Sequence, residues 1–511
     1  MASRGRRRPV PSKSTSYSTF LLAAFAAVGS GLAPAASGPE APVVIALGRF
    51  LGPAEAASKA VDPADSESIQ AAYDTARDLQ EGLRVPGVGT SACEALRAAG
   101  LDYAVGRIGQ QDGLDRPDDS IRRAGTVKAT AALGRLASLK GTCQTAPTTS
   151  NTSLTMTPGS GEAFFGTVAA SAPNGTSRAE LTVDGGSPQP VSVSANRVRV
   201  SVLAAPGRHD LTLTFLSGSQ TLGQARASGT WLLPSSARTA HPYRTRDPKL
   251  EQRLSALGRS VPGYSAFWVQ NLTDGRGAGT NAGARFPAAS TVKLGLLVGA
   301  IAKLGPSPQT SPYFADLQAM AGWSSNLATN RLVDRLGSGC GTGADALAAD
   351  GLRRLGSRAS TFTGCYIVGT ELQPEMPDAP ATSAPPLDTR RYTTAQDLGR
   401  MLFAIHASAV GAPGARRQTG LTQGQARLAL GLLLASQQVG DNQSLFLGGL
   451  PTGTPVAQKN GWLRRSRLGA SVIYGPQGPT IAVMAAHNES GLSLAQAASI
   501  GARLARIAVR T

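Results

Sequence analysis

Cysteine, histidine and lysine are all scarce in this 511-residue chain. The four cysteines, Cys93, Cys143, Cys340 and Cys365, include no Cys-x-x-Cys pair. That spacing argues against a zinc site and against thioredoxin-like redox chemistry. Sequential pairing, Cys93 with Cys143 and Cys340 with Cys365, is the simplest of the possible connectivities and makes both pairs structural disulfides closing local loops. With four histidines, no His-Glu-x-x-His occurs. Gly-x-Ser-x-Gly and the phosphate-cradling Gly-x-x-x-x-Gly-Lys are missing too. No metal or cofactor is implied. Dense basic runs interleaved with aromatics are also lacking, so the formal charge of +18, carried mostly by dispersed arginine, does not point to nucleic acid. A basic surface would suit anionic cell-wall polymers, although biased arginine usage gives the same number.

The N-terminus carries an address. Arg4, Arg6, Arg7 and Arg8 precede the apolar segment Phe20 to Val28 and the small residues Ala33-Pro34-Ala35. Basic, apolar, small is the layout of a secretory signal peptide. A second apolar piece, Val43 to Leu51, leads to another candidate cleavage site at Ala54-Glu55-Ala56. The chain is therefore expected to be exported, periplasmic or extracellular, with residues 1–57 as signal peptide or N-terminal anchor. Membrane contact is expected only through an uncleaved N-terminus, since no later stretch is long and apolar enough to span.

Three further regions follow. Ile69, Ala72, Ala76, Leu79 and Leu83 recur at helical steps, so residues 60–147 read as a small helical domain. Residues 148–234 change character. Short alternating segments such as Ala179–Val183, Val198–Val202 and Leu211–Phe215, bounded by Pro173-Asn174-Gly175 and Asp184-Gly185-Gly186, predict an immunoglobulin-like β-sandwich. After a polar linker, residues 246–511 read as one α/β (α+β) domain.

Within that domain the informative stretch is Phe286-Pro287-Ala288-Ala289-Ser290-Thr291-Val292-Lys293, running into an apolar helix predicted to begin near Ser290. Three residues make about one turn, which puts Ser290 and Lys293 on one face. A serine hydroxyl needs a group to take its proton, and a lysine buried among apolar neighbours is favoured in the neutral form that can do so. A helix start with a solvent-reaching lysine would look the same. Lysine is rare here, however, with eight in the chain, and Ser290/Lys293 is the only Ser-x-x-Lys among them. Farther on come Ser324-Ser325-Asn326, just before a predicted helix, and Lys459-Asn460-Gly461-Trp462 on a predicted strand.

Taken in order, these elements resemble the Ser-x-x-Lys, Ser-x-Asn and Lys-Thr-Gly set of the penicillin-recognising serine hydrolases, the class A β-lactamases and related D,D-peptidases. The resemblance runs from about Leu250 to the end. It extends to Asn326-Leu327-Ala328-Thr329-Asn330 and to Thr393-Thr394-Ala395-Gln396-Asp397-Leu398, which is similar to the capped helix after the family's omega loop. It implies Ser290 as acylated nucleophile, Lys293 as base or relay, and Ser324 passing a proton to the leaving nitrogen. Asn326 would hold the substrate amide, and Lys459 with Asn460 would meet a carboxylate. The oxyanion would sit between the backbone N–H groups of Ser290 and Trp462, which Gly461 lets a substrate approach.

The sequence also departs from the family pattern. Ser325 replaces the usual Asp, and Asn460 the usual Thr or Ser. The omega loop lacks a Glu with an Asn four residues later; Glu371 and Glu375 are the candidates there for a deacylation base. The expectation is an exported serine hydrolase acting on β-lactams or peptidoglycan-type peptides. The alternatives are a D,D-peptidase, penicillin-binding protein or esterase with slow deacylation, and a catalytically weak wall-binding scaffold.

Overall fold

The computed structural model describes residues 42–64, 66–83, 91–115, 119–139, 143, 154–311, 313–322, 324, 326–337, 339, 342–366, 391–436 and 445–510. The chain divides into two compact units, residues 1–149 and 150–511. In the first, helices α1 (Pro42–Lys59), α2 (Ser66–Gly82), α3 (Ser91–Asp115) and α4 (Asp119–Ser138) share one core built on Val43, Leu47, Leu51, Leu79, Leu83 and Tyr103. The Cys93–Cys143 disulfide is present and ties the start of α3 to the chain beyond α4. Val43, Leu47 and Leu51, the second apolar piece of the N-terminal reading, thus belong to a packed helix. Phe20–Val28 lies outside the described residues. No described helix is long and apolar enough to cross a membrane.

The second unit opens with nine strands. They are β1 (Met156–Thr157), β2 (Ala163–Phe164), β3 (Thr167–Ser171), β4 (Arg178–Val183), β5 (Gln189–Val191), β6 (Val193–Ser194), β7 (Arg197–Ser201), β8 (Gly207–Ser217) and β9 (Gln220–Leu232). They form a four-stranded sheet, β1-β3-β7-β6, and a five-stranded one, β2-β9-β8-β4-β5. Alternation decides what each strand buries: in β4, Ala179 and Leu181 point inward while Arg178 is exposed. Val168 and Val198 of one sheet meet Leu181, Leu213 and Phe215 of the other in a common core.

These strands are not a detached spacer. Phe165, Trp231 and Leu233 join the main core of the following domain. Gly431, on a helix of that domain, lies so close that an added Cβ would fall 1.9 Å from the Gly161 carbonyl oxygen. Only glycine fits there. Glu162 is buried at the same contact, where Gln309 Nε2 donates to it at 3.4 Å, and desolvation raises its pKa.

The rest is a sheet between two helical layers. Part of the expected polar linker pairs as an edge strand, β10 (Thr245–Arg246). Helix α5 (Pro248–Arg259) is capped by the Asp247 carboxylate, which accepts from Leu250 N at 3.0 Å. Then come β11 (Tyr264–Asn271), β12 (Arg276–Thr280), β13 (Phe286–Pro287), α6 (Lys293–Leu304), α7 (Phe314–Gly322), α8 (Asn326–Gly337), α9 (Thr342–Arg354) and β14 (Tyr392–Thr393). The chain ends with α10 (Ala395–Ala409), α11 (Pro413–Thr419), α12 (Gln423–Ala435), β15 (Val456–Trp462), β16 (Ser466–Gly475), β17 (Gly478–His487) and α13 (Leu494–Ala508). The six-stranded sheet runs β10-β12-β11-β17-β16-β15. The two-residue period splits its residues: Phe267, Val269, Met484 and Ala486 pack under α5 and α13, whereas Ala266, Trp268, Val483 and Ala485 face α6 and α10.

Two polar groups are sealed into the α10 layer. His406 is fully buried, with Nε2 against Thr239 O at 2.9 Å and Nδ1 against the Tyr474 hydroxyl at 3.1 Å. Burial lowers its pKa to about 4, so it is a neutral packing residue. Asp397 is also fully buried, yet it accepts from Ser357 Oγ at 2.7 Å, Ser360 Oγ at 2.6 Å, Arg358 N at 2.8 Å and Ala359 N at 3.1 Å. Desolvation pushes this carboxyl up, but the hydrogen bonds together outweigh it and hold the pKa low.

Candidate active site

A short ladder delivers the nucleophile candidate. Phe286 and Pro287 of β13 pair with Thr393 and Tyr392 of β14, and Ala288 N donates to Arg391 O at 2.9 Å. The chain then turns instead of entering the helix directly. Thr291 N and Thr291 Oγ1 both donate to Ala288 O, and Lys293 N donates to Ser290 O at 3.2 Å. Helix α6 therefore begins at Lys293, with Ser290 in the tight turn before it rather than in the first helical turn. The turns at Ser290, Thr291 and Val292 close with bonds to the third residue on, and Ala289 ahead of them is held at φ 47°, left-handed backbone that a helix cannot contain.

Lys293 is 1% exposed and points across to the start of α8. Its Nζ donates to Ser324 O at 2.5 Å and to Asn326 Oδ1 at 2.8 Å. Ser324 is a second strained residue, at φ 62°. Two non-glycine residues in the left-handed region beside one site cost about 1–3 kcal/mol each, and such strain persists where the surroundings over-determine it. Lys459, on edge strand β15, is 2% exposed and donates to Ser324 Oγ at 2.7 Å. Two of the eight lysines thus converge on one serine.

Strand β15 also supplies close backbone. A Cβ added to Gly461 would lie 3.0 Å from Ala288 O and 3.1 Å from Ser290 N. The strand therefore passes against the turn at the nucleophile's own N–H. Asn460 is 1% exposed and alternates with Lys459 along the strand. The Trp462 ring packs toward the core under α13, with Arg467 above it at 4.6 Å. What Trp462 offers to Ser290 is its main chain.

Ser290, Lys293, Ser324, Asn326, Lys459 and Gly461 are thus brought together. Ser325, Glu371 and Glu375 lie outside the described residues. Cys365 is disulfide-bonded, and Cys340, its expected partner, is likewise outside them.

Two site residues had no role in the sequence reading. Tyr366 donates its hydroxyl to Ala289 O at 3.0 Å, on the residue just before Ser290. Lys293 Nζ stands 4.2 Å from its ring centroid and Arg391 Cζ 4.3 Å from it. Asn330, one turn beyond Asn326 on α8, grips the Tyr366 backbone on both sides: Nδ2 donates to Tyr366 O at 2.7 Å, and Oδ1 accepts from Tyr366 N at 2.8 Å. Asn330 stood inside the quoted motif, so helical spacing from Asn326 was a usable signal. For Tyr366 none existed, because its partner Ala289 is 77 residues away.

The assembly is a serine with buried amines near it and a strand passing its backbone N–H, residue types that acyl transfer can use. Comparisons with known proteins bear on the same half of the chain. Among curated proteins none matches. Solved structures similar to it include one described as PBP-A, at 19% identity and TM-score 0.39, covering 53% of this chain and 98% of that one. A class A β-lactamase from Mycobacterium abscessus is similar at 19% identity and TM-score 0.40, covering 51% and 98%. A β-lactamase from Desulfarculus baarsii is similar at 19% identity and TM-score 0.39, covering 51% and 96%. The model of the Beta-lactamase enzyme family matches residues 249–306 and 314–511, just over half of the chain, and it is to this family that the chain belongs.

Proposed function

We propose that the chain is an exported serine hydrolase that works through an acyl-enzyme on Ser290, with a β-lactam or a peptidoglycan-type peptide as substrate. The observation that carries this reading is the meeting of three chain segments. Ser290 lies in the turn ahead of Lys293, Ser324 bridges Lys293 and Lys459, and Gly461 brings β15 against the Ser290 N–H. In this reading Ser290 Oγ attacks the amide carbonyl and its proton passes to Lys293. Ser324, backed by Lys459, returns a proton to the leaving nitrogen, while Asn326 holds the substrate amide. Lys459 and Asn460 receive the substrate carboxylate; buried lysines suit an anionic substrate. The Ser290 and Trp462 N–H groups stabilise the oxyanion. Glu371 or Glu375 is the proposed deacylation base where turnover is fast.

We divide the remainder as a small helical domain, residues 60–147 with α1 (Pro42–Lys59) added to its core, an immunoglobulin-like sandwich, 148–234, and the hydrolase, 246–511. Packing of α1 favours signal cleavage near Ala33-Pro34-Ala35, since a cut at Ala54–Ala56 would remove a core helix. The test is intact-protein mass spectrometry of the secreted form with a penicillin. Wild type should gain the drug's mass and Ser290→Ala should not. A stable adduct favours the penicillin-binding or D,D-peptidase alternative, and a transient one with drug loss favours a β-lactamase. If no adduct forms but Ser290→Ala still pellets with cell wall like wild type, the scaffold alternative is the better one.

A further inference from the structure

The helical layer on the far side of the sheet from α6 carries an unbalanced charge. Helices α5 and α13 pack there through Leu250, Leu254 and Leu257 against Ile500, Leu504 and Ala505. Beside those apolar residues stand Arg253 on α5, Arg503 and Arg506 on α13, and Arg510 in the turn beyond it, all four exposed. With Ile507 they line one hollow of about 610 Å³. Arg503, Arg506 and Arg510 follow at three- and four-residue steps, so they share one helix face over about 10 Å.

None of the four forms an ion pair among the described residues. Elsewhere on the same domain Arg246, Arg331 and Arg354 are each held by a carboxylate, of Glu251, Asp316 and Asp350. The sequence explains the difference: between Glu489 and Thr511 there is no acidic side chain, and Glu489 itself is taken up by His487 and Arg465. The negative end of the α13 dipole offsets part of the repulsion, but that effect fades beyond the last turn, and Arg253 and Arg503 lie outside it. Guanidinium groups present flat pairs of N–H donors that match phosphate oxygens two at a time. A row of them along a hollow of this size suits successive phosphates better than one anion. Among the described residues no large apolar side chain is exposed on either helix to enter a bilayer. No aromatic ring lines the hollow to stack on a base.

We propose that the hollow between α5 and α13 is a binding site for a linear phosphate-bearing polymer, gripped by Arg253, Arg503, Arg506 and Arg510. The hollow and Ser290 lie in different layers of the domain, so such binding is independent of the acyl-enzyme chemistry.

The test is fluorescence anisotropy of the full chain with a labelled inorganic polyphosphate. Wild type should bind it, with affinity falling as salt rises at a log–log slope of about −3 for four contacts. Arg503→Gln/Arg506→Gln should weaken binding about 10-fold or more and make the slope shallower by about 1.5. Arg197→Gln/Arg199→Gln removes the same charge from exposed positions on β7 and should change the affinity less than about 2-fold. All four exchanged side chains are exposed and outside the cores, so both variants keep the fold. Equal losses in the two variants overturn the proposal, because the attraction would then be that of the overall charge of +18. Absence of binding to wild type overturns it as well. So does equal affinity for inorganic phosphate, or for polyglutamate matched in charge, since neither is a phosphate chain. Vesicles rich in anionic phospholipid that displace polyphosphate at equal exposed phosphate would make the site a bilayer contact instead, and would also sink the proposal.

Discussion

Two buried polar clusters in the same domain are built on opposite plans. At Asp397 a single carboxylate is met by four hydrogen bonds from Ser357, Ser360, Arg358 N and Ala359 N, with Arg400 3.5 Å away. The charge is matched by donors, and the helix that carries it starts in ordinary geometry, capped by Thr394, whose hydroxyl accepts from Asp397 N. Near Ser290 two buried lysines share Ser324, and the chain on both sides of the site is bent into left-handed backbone at Ala289 and Ser324. The first cluster lowers the energy of the fold. The second raises it locally, and that is how a site keeps reactive groups from relaxing into quiet pairings. The two are joined physically: Asp397 anchors residues 357–360, whose continuation carries Tyr366 to the nucleophile.

The contrast can be broken most sharply at Lys459. Replacing it by methionine, Lys459→Met, keeps volume but removes the donor to Ser324. Acylation by a penicillin should fall about 1,000-fold, because general acid–base partners contribute factors of that order. The thermal midpoint should change little, since methionine fills much the same buried volume as the lysine chain. A large loss of stability would show that the lysine is structural and that the contrast is false. The Asp397→Ala exchange should do the reverse. Four donors lose their acceptor, at a cost of about 3 kcal/mol in denaturant unfolding, and a cost below about 1 kcal/mol would mean that the cluster is not the anchor described.

A smaller effect is expected from His406. Its folded pKa of about 4 lies below that of an exposed histidine. Between that value and about 6.5 the unfolded chain binds a proton here and the folded chain does not. Stability from this residue is therefore complete above about pH 6.5 and is lost as pH falls toward 4. Comparing pH 7 with pH 5, the loss from this one group is about 2 kcal/mol. His406→Gln should flatten the pH dependence by that amount, and an unchanged slope would show that His406 titrates normally in the fold.

The sequence was informative wherever the signal was local or rested on rare residues. Alternation in Ala179–Val183 and Leu211–Phe215 marked strands, because a two-residue period is what a half-buried strand requires. The helix beyond Ser324 followed from neighbouring residues in the same way, and the capped helix after Thr394 from the family resemblance. Ser290, Lys293, Ser324, Asn326 and Lys459 stood out because lysine is rare and the three short motifs recur in one order. One local reading failed. Helical spacing put Ser290 in the first turn of α6, but Ala289 adopts a backbone that only the surrounding contacts can impose.

By itself, then, the sequence determined which serine and which lysines were the candidates for the site, since these depend on residue type and short spacing. The tertiary structure alone decided what surrounds them. The Tyr366 hydroxyl on Ala289 O, the Asn330 grip on the Tyr366 backbone and the closeness of Gly461 to the Ser290 N–H are contacts between distant segments. So is the joining of Phe165, Trp231 and Leu233 to the hydrolase core. Such contacts are fixed by how layers pack, and packing leaves no periodic trace in the chain that makes it.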